Sequence, residues 1–291
     1  MTRPWWIIGC GYTGTQLARA LAARPDVAGE IAITRRDGEV ARALGAALGV
    51  RGERLDLSDP AMAAATAAVA IPPGAIVVST APPGADPAGE VRALLGLARE
   101  AARLVYVSST GVYGPGGGAW VDETWPIAPI TASGRARAAA EAALADAPMP
   151  WVALRAAGIH GPGRGLVDRI RAGTYRVIGD GTSHVGRIHV VDLVAAIIAA
   201  GTGTATGAIN AADDDPAPIG AVADAVAARL GLPPPPRVPA DAVPPEVAGM
   251  LTANRRIANR RLRDELGVVL RYPSWRDALD AELAAAAPPS L

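Results

Sequence analysis

The chain contains no lysine, no phenylalanine and only one cysteine, Cys10. All 28 basic side chains are therefore arginines, so no lysine amine can serve in a catalytic site. Tryptophan, leucine, isoleucine, valine and alanine must fill the core, because phenylalanine is missing. A single cysteine excludes an intrachain disulfide and fits a reducing compartment, which favours a cytoplasmic protein.

Net charge and long apolar runs are missing as well. The 28 basic and 28 acidic side chains give a formal net charge of +0, which argues against a general binder of nucleic acid or of acidic membranes. The longest apolar stretch, Ala61–Ala81, contains Pro72-Pro73-Gly74, so it predicts a helix, a turn and a strand and not a membrane span. No spacing of His, Cys, Asp and Glu indicates a metal site. We therefore expect a small-molecule substrate, whose identity the sequence leaves open.

The first half of the chain alternates short apolar runs with alanine-rich segments. Continuous apolar strands between helices are typical of a parallel sheet covered on both faces, so we predict an α/β fold with a doubly wound parallel Rossmann sheet. The predicted strands are Trp5–Ile8, Ile31–Thr34, Ala75–Ser79 and Leu104–Ser108, and the predicted helices are Thr15–Arg24, Val40–Leu48, Ala61–Val69 and Ala88–Ala101.

Further along the chain the pattern loosens into glycine loops and short elements. A helix is predicted at Arg135–Ala145 and a strand at Val152–Arg155, and Asp192 is expected to cap a later helix. We predict that residues 1–158 and 186–212 form the dinucleotide-binding domain and that residues 159–185 and 213–291 form a smaller substrate-binding lobe.

The run Gly9-Cys10-Gly11-Tyr12-Thr13-Gly14 fits the pattern G-x-G-x-x-G, follows an apolar strand and opens a helix. In that context the first glycine permits a tight turn, Gly11 lets the backbone approach a pyrophosphate, and Gly14 lets the helix pack closely on the strand. The helix N-terminus then presents N–H groups and a positive dipole to the phosphates. An ordinary glycine turn is the alternative interpretation.

Arginines stand where an NAD-binding protein carries an acid. Arg35 lies 21 positions after Gly14, and the predicted strand ends Thr34-Arg35-Arg36. A guanidinium binds a 2′-phosphate that a carboxylate would repel, so the sequence favours NADP over NAD. Asp37 is adjacent and weakens this inference, and two solvated loop arginines are the alternative.

Other strand ends supply the remaining candidates for cofactor binding. Asp56 follows the third strand and could accept from the adenine amino group, or could instead cap a turn. Ser79, Thr80 and Ala81 end the fourth strand, which is expected to pass near the nicotinamide ribose.

Several segments resemble the extended short-chain dehydrogenase/reductases, the NAD-dependent epimerase/dehydratase superfamily, and most of all its atypical YeeZ-like branch. The resemblance covers nearly the whole chain. The segments that carry it are Gly9–Gly14, Thr34–Arg36, Val105–Gly114, Leu154–Arg155, Gly158–Arg164, Arg187–Asp192, Asn259–Leu262 and Tyr272–Ser274. It implies a Rossmann fold, an NAD(P) cofactor, oxidoreductase or epimerase chemistry and a homodimer.

The resemblance also implies a serine and a Tyr-x-x-x-Lys pair, and here the chain departs from the pattern. Ser109 matches the serine, but Ser133 stands at the tyrosine position and Arg137 at the lysine position. A serine hydroxyl is a far weaker acid than a phenol, and arginine stays protonated. Tyr113 is the candidate stand-in for the proton donor, with packing as its alternative role.

Two functional hypotheses follow. The first is an NAD(P)-dependent oxidoreductase or epimerase-like enzyme in which Ser109 orients the substrate oxygen, Tyr113 donates the proton and Arg137 holds the ribose. The second is an NADP(H)-binding redox sensor or regulatory protein with little or no turnover. Outside these roles, His160 could line the substrate crevice, and Arg187 could hold a substrate phosphate or form a structural ion pair.

Overall fold

The computed structural model describes residues 3–25, 27, 30–59 and 69–286. The predicted helix at Ala61–Val69 lies, except for Val69, outside these residues. The strands are β1 (Trp5–Ile8), β2 (Ile31–Arg35), β3 (Arg51–Arg54), β4 (Ile76–Ser79), β5 (Arg103–Ser109), β6 (Trp120–Val121), β7 (Trp151–Ala156), β8 (Gly158–His160), β9 (Val177–Ile178), β10 (His184–Val185), β11 (Arg187–His189), β12 (Gly207–Ala211), β13 (Ala217–Pro218), β14 (Arg237–Val238) and β15 (Arg256–Ile257). The α-helices are α1 (Tyr12–Ala22), α2 (Gly38–Leu48), α3 (Pro87–Leu97), α4 (Ala132–Ala143), α5 (Leu166–Arg171), α6 (Val190–Thr202), α7 (Ile219–Arg229), α8 (Pro245–Thr252), α9 (Arg260–Asp264) and α10 (Trp275–Ala286).

Seven strands form one sheet in the order β12-β7-β5-β4-β1-β2-β3. The strand pairs β2–β3, β1–β2, β1–β4 and β4–β5 are all parallel, with Trp5 opposite both Ile31 and Ile76. Along the chain, β2 and β3 extend the sheet on one side of β1, and β4, β5, β7 and β12 then extend it on the other side. This confirms the predicted doubly wound sheet and places its switch point between β1 and β4, where such sheets bind ligands.

Burial explains why the apolar runs became central strands. All four residues of β1 and of β4 are buried, because helices cover both faces of the sheet at this point. On one face Trp6 and Leu104 lie in a core with residues of α3 and α4, Leu94 and Ala140 among them. On the other face Gly201 of α6 packs directly against the Trp5 ring, since a Cβ at Gly201 would lie 2.7 Å from that ring.

The chain divides into two compact units. The first contains residues 1–109, 135–155 and 194–209, with the strands of the large sheet. The second contains residues 110–134, 156–193 and 210–291, with the short two-stranded pairings and its own core around Tyr175, Val222 and Trp275. The assignment of cofactor and substrate to particular stretches of chain stays a prediction.

Several helix starts differ from the sequence-based expectation: α1 begins at Tyr12 and α2 at Gly38, before the predicted Thr15 and Val40. The helix after β11 begins at Val190, so Asp192 lies within its first turn and does not cap it; the Asp192 carboxylate instead accepts from the backbone N–H groups of Arg271 at 2.7 Å and Tyr272 at 3.0 Å. Helix α4 begins at Ala132, three residues before the predicted start: Thr131 Oγ1 accepts from the Gly134 N–H at 3.1 Å, and the distant Glu246 carboxylate accepts from the Ala132 N–H at 2.9 Å. The Thr131 cap is a local signal that the prediction missed, whereas the contacts of Asp192 and Glu246 join residues that are far apart in sequence.

Candidate dinucleotide site and its surroundings

The turn between β1 and α1 has the geometry that the glycine pattern predicts. Gly9 adopts φ +78°, and a Cβ there would lie 2.5 Å from the Cβ of Ala81. A Cβ at Gly14 would lie 2.9 Å from Thr80 Oγ1, so α1 packs tightly on the sheet. Gly11 precedes α1, whose first turn has no side-chain cap and no acidic residue. A glycine turn leading into an uncapped helix N-terminus fits a pyrophosphate.

Two threonines brace this turn, one in β2 and one directly after β4. Thr34 Oγ1 accepts from the Gly9 N–H at 3.2 Å, and the Thr34 carbonyl accepts from the Cys10 N–H at 2.8 Å. The Thr80 hydroxyl donates to the Gly9 carbonyl at 2.8 Å. Both threonines were predicted to bind the cofactor, and the structure places their hydroxyls on the backbone of the turn. They support the candidate site by fixing its shape.

The other candidates at this edge differ in exposure. Tyr12 opens α1 and is half-buried, whereas Thr13 is buried. Ser79 is the last residue of β4 and is also buried. Cys10 is fully buried, and its burial raises the pKa of the thiol, which disfavours the reactive thiolate.

Three arginines meet at the end of β2. Arg35 is half-buried at the last position of the strand, Arg36 is exposed, and Arg54 stands opposite Arg35 in the parallel register of β3. Arg54 Nε donates to the Arg36 carbonyl at 3.2 Å. Sequence reasoning missed Arg54 because it comes next to Arg35 only through the strand pairing.

Asp37, next to this edge, uses its carboxylate to cap α2. Asp37 Oδ1 accepts from the N–H groups of Glu39 at 2.9 Å and Val40 at 3.1 Å, and these bonds hold its pKa below the usual value. Asp56 is engaged similarly, since its Oδ1 accepts from the Ser58 hydroxyl at 2.6 Å and from the Ser58 N–H at 3.0 Å. That geometry favours the turn-capping alternative for Asp56 over an adenine contact.

Arg137 lies on α4 and reaches the carboxyl ends of two strands. Its Nη1 donates to the Val107 carbonyl at 2.6 Å, to the Tyr106 hydroxyl at 3.1 Å and to the Ala81 carbonyl at 3.2 Å. Tyr106 is buried, and that burial raises the pKa of its phenol despite the nearby guanidinium. Arg137 is thus anchored to backbone and phenol at the edge of β4 and β5.

A buried ion pair follows one helical turn later. Arg155 of β7 donates to both carboxylate oxygens of Glu141, and the shortest contact is 2.8 Å. The Ser108 hydroxyl also donates to Glu141. Ser109, the candidate for orienting the substrate oxygen, ends β5 beside this group and is half-buried. Nothing in the spacing of Ser108, Glu141 and Arg155 signalled their contact.

Tyr113 lies in the second unit and is fully buried. Its hydroxyl donates to Asn210 Oδ1 at 2.7 Å, while the amide of Asn210 donates to the carbonyls of Ala258 at 3.0 Å and Val121 at 3.3 Å. Glu123 accepts from the Asn210 backbone N–H at 2.8 Å. A phenol held inside this network packs and orders the second unit, which favours the packing role left open for Tyr113.

Ser133 is engaged in the second unit as well. Its hydroxyl donates to Glu246, and its N–H donates to the same oxygen at 3.2 Å. The side chain therefore completes the cap of α4. Ser133 occupies the position at which the family resemblance implies a tyrosine.

Two histidines share a cluster in the second unit. His160 Nδ1 lies 3.7 Å from Glu282 Oε1, and the His160 ring meets the His189 ring edge-on at 5.3 Å between centroids. His189 is buried and packs on Tyr272 at 4.0 Å, and its burial lowers its pKa to about 4, with the nearby His160 acting in the same direction. His189 is therefore neutral at physiological pH, and its Nδ1 accepts from the Val191 N–H at 3.2 Å.

Arg187 and Asp213 are buried neighbours in the second unit. The Asp213 N–H donates to the Arg187 carbonyl at 2.7 Å, but neither Arg187 Nη2 nor either carboxylate oxygen of Asp213 has a hydrogen-bond partner among the described residues. Burial raises the pKa of Asp213 to about 8, although the Arg187 charge opposes that shift. Arg187 Nη1 donates to the Val185 carbonyl at 2.9 Å.

Comparison with known proteins identifies the family. The model of the NAD dependent epimerase/dehydratase family matches residues 5–212, which include the glycine turn, the arginine edge and Arg137. The chain belongs to this family. The match agrees with the resemblance read from the sequence.

Two curated relatives of this epimerase/dehydratase-family chain are similar over part of their length. A 3-diazoavenalumate denitrifying reductase of Streptomyces sp is 35% identical over 199 residues, which are 62% of this chain and 65% of that protein. Protein YeeZ of Escherichia coli K12 is 40% identical over 102 residues, which are 35% of this chain and 36% of that protein. The matched segments thus span less than two thirds of either relative.

Solved structures match nearly the whole chain. A conserved protein of unknown function from Silicibacter pomeroyi DSS is 31% identical with a TM-score of 0.81, covering 98% of this chain and 99% of that one. The human epimerase family protein SDR39U1, solved with NADPH, has a TM-score of 0.75 at 20% identity, covering 97% and 99% of the two chains. At that identity the human protein supports the fold alone.

The described residues contain neither a membrane-spanning helix nor a cluster of metal ligands. No helix among residues 3–25, 27, 30–59 and 69–286 is long and apolar enough to span a membrane. In the same part of the chain no three His, Cys, Asp or Glu side chains are grouped so that they could hold a metal ion.

Proposed function

We propose that this epimerase/dehydratase-family chain is an NADP(H)-dependent reductase that works without the Tyr-x-x-x-Lys pair. The observation that carries the proposal is the edge formed by Arg35, Arg36 and Arg54 beside a glycine turn of dinucleotide-binding shape. The reductase named among the relatives supports the direction of the reaction.

On this proposal the chain holds the dinucleotide along the carboxyl edge of its sheet. Gly9, Gly11 and Gly14 accommodate the pyrophosphate at the start of α1. The arginine edge takes the 2′-phosphate, because guanidinium groups pair with phosphate and Asp37 is already committed to capping α2. The coenzyme, when bound, supplies a hydride.

The substrate is then an electrophile that needs no proton from the protein. Ser133 replaces the tyrosine and bonds Glu246, Arg137 replaces the lysine and cannot relay a proton, and Tyr113 is buried against Asn210. Ser109 remains as a hydroxyl that could orient a bound group. We propose a positively charged acceptor of the aryl diazonium type, which accords with a relative named for denitrifying a diazo compound.

The stoichiometry of such a reduction balances without an acid. An aryl diazonium ion and NADPH give the arene, dinitrogen and NADP⁺: the carbon–nitrogen bond breaks with release of dinitrogen, and the new carbon–hydrogen bond takes both its electrons from the hydride. Reduction of a ketone, by contrast, consumes one proton, and a positioned acid typically contributes about 10²–10⁴ in rate. The loss of the tyrosine and the lysine weighs against ketone reduction, and it does not impair reduction of a diazonium ion.

The cofactor part is tested by titrating purified protein with NADPH and with NADH while following nicotinamide fluorescence. We expect tighter binding of NADPH, and we expect Arg35→Glu to remove most of that preference. Arg99→Glu is the matched control, since it makes the same charge change at an exposed site that precedes β5, at the amino-terminal end of that strand. Equal affinity for the two coenzymes, or equal effects of the two variants, would contradict NADP selectivity; binding of neither would end the proposal.

A further inference from the structure

A short loop leaves β4 and lies directly against the glycine turn. Its sequence is Ala81-Pro82-Pro83-Gly84. A Cβ at Gly9 would lie 2.7 Å from Ala81 Cα and 2.8 Å from Ala81 N, so the two backbones are in the closest contact that a glycine allows. We call residues 81–84 the β4 exit loop. Any shift of this loop changes the space beside the glycine turn.

Arg137 holds the first residue of the β4 exit loop. A single nitrogen, Nη1, donates to the Ala81 carbonyl at 3.2 Å and to the Val107 carbonyl of β5 at 2.6 Å. The same nitrogen lies 3.1 Å from the Tyr106 hydroxyl. Because Val107 and Tyr106 belong to a buried strand, the guanidinium ties the loop to the rigid part of the sheet.

Glu90 holds the last residue of the same loop. Its Oε2 accepts from the Gly84 N–H at 2.9 Å, and its carboxylate fills the place that a Cβ of Gly84 would take. The second oxygen, Oε1, is buried and has no hydrogen-bond partner among the residues that the structure describes. The bond from Gly84 therefore ties the end of the loop to the first turn of α3.

The residues between the two anchors are stiff. Proline fixes φ near −65° and removes a conformational freedom that other residues keep, and here two prolines are consecutive. A stiff segment anchored at both ends has one position, set by Arg137 on α4 and Glu90 on α3. The loop lies on the β4 side of the switch point, whereas the arginine edge lies on the β2 side. The two halves of a dinucleotide bind on these two sides of such a sheet.

We propose that Arg137 and Glu90 are positioning residues that clamp the β4 exit loop and thereby set the affinity for the nicotinamide half of the coenzyme. Arg137 acts through the loop and not as a proton relay. The inference rests on the proposed NADP(H) function. The adenosine half is held independently by the arginine edge.

The test compares two ligands on the full-length protein. NADPH needs both halves of the site, whereas 2′,5′-ADP needs only the arginine edge and the start of α1. We expect Arg137→Met and Glu90→Met to weaken NADPH about tenfold and to leave 2′,5′-ADP unchanged. Arg137→Lys is expected to recover part of the loss, because one ammonium carries three donors for three acceptors. Arg99→Met is the control and is expected to change neither affinity.

Amide hydrogen exchange supplies a readout that needs no ligand. In Arg137→Met the peptide covering residues 80–86 is expected to exchange faster, while peptides of β1 and α1 keep their protection. Loss of both ligands together, or faster exchange throughout the sheet, would mean a general structural role and overturn the clamp. Unchanged NADPH affinity would overturn it too. Wild-type protein that binds neither ligand would overturn the proposed function first and this inference with it.

Discussion

At the scale of single residues, Tyr113, the candidate proton donor, is buried inside the second unit. Tyr113 is fully buried, and its hydroxyl donates to the equally buried Asn210. Buried polar groups are expected to have partners, and Asn210 uses its side-chain oxygen, its side-chain amide and its backbone N–H. The pair therefore has the features of a structural hydrogen bond.

Tyr113→Phe separates a structural role from a catalytic one. Removing the hydroxyl leaves Asn210 Oδ1 without this donor, so we expect the free energy of unfolding to fall by about 1–3 kcal/mol. NADPH affinity and turnover per folded molecule are expected to stay near wild type. Chemical denaturation and single-turnover kinetics on the same preparations check both. Loss of turnover with unchanged stability would assign Tyr113 to catalysis instead.

Asp213 gives a prediction about pH. Burial raises its folded pKa from 3.8 to about 8, so the folded state binds a proton that the unfolded state has released, and stability falls as pH rises through this interval. His189 has the opposite sign: its folded pKa is lowered from 6.5 to about 4, so it adds stability as pH rises toward 6.5. Above pH 6.5, of these two groups only Asp213 still changes the stability of the protein with pH.

We therefore expect the melting temperature of the wild type to decline between pH 6.5 and pH 8, and Asp213→Asn to lack most of that decline. The amide resembles the protonated carboxyl that the folded protein favours. Calorimetry of both proteins across the interval provides the measurement. Parallel declines in the two proteins would show that Asp213 is not the group responsible.

At the scale of elements, the glycine turn sets the sharpest steric requirement. Gly9 combines φ +78° with a close backbone neighbour, whereas Gly49, at the end of α2, has φ +69° with nothing within 4 Å. Gly49→Ala is thus a matched control that adds similar backbone strain, about 1 kcal/mol, without a steric clash. We expect Gly9→Ala to abolish NADPH binding and Gly49→Ala to retain it at a slightly lower melting temperature. NADPH binding by Gly9→Ala at wild-type affinity would contradict the assigned role of the turn.

The elements also show what the sequence could and could not predict. Apolar runs located β1 without error and placed β2, β4, β5 and β7 to within one residue at each end, because fully buried strands need continuous apolar side chains. Asp192 failed as a predicted cap because its partners, Arg271 and Tyr272, come about 80 residues later. Period and spacing carry local information only.

Some features of the candidate site could likewise be predicted from the sequence, and others could not. The shape of the glycine turn followed from its motif, whereas the capping of α2 by the Asp37 carboxylate was not predicted from the sequence. Arg54 and Glu90 were invisible in the sequence, since strand register and a loop contact bring them into place. The sequence predicted that Arg137 holds a ribose. In the structure it donates to Ala81, Tyr106 and Val107, and we therefore propose that it positions the β4 exit loop.

At the scale of the whole molecule, we propose that the chain keeps the dinucleotide site of its family fold and lacks the family's proton relay. The family match covers residues 5–212, and a solved structure of unknown function follows 98% of the chain. Cys10 is fully buried with a raised thiol pKa, which disfavours a reactive thiolate beside the glycine turn. A reductase for acceptors that need no acid is consistent with these observations together.

The measurement that tests this claim most directly follows the hydride itself. Purified protein is mixed with NADPH deuterated at nicotinamide C4 and with para-carboxybenzenediazonium, with Gly9→Ala protein and protein-free mixtures as controls, and the arene is analysed by mass spectrometry. We expect deuterated arene to form much faster than in both controls, and to form at the same rate in H₂O and in D₂O. Arene without deuterium, or turnover confined to carbonyl substrates with a solvent isotope effect, would contradict it.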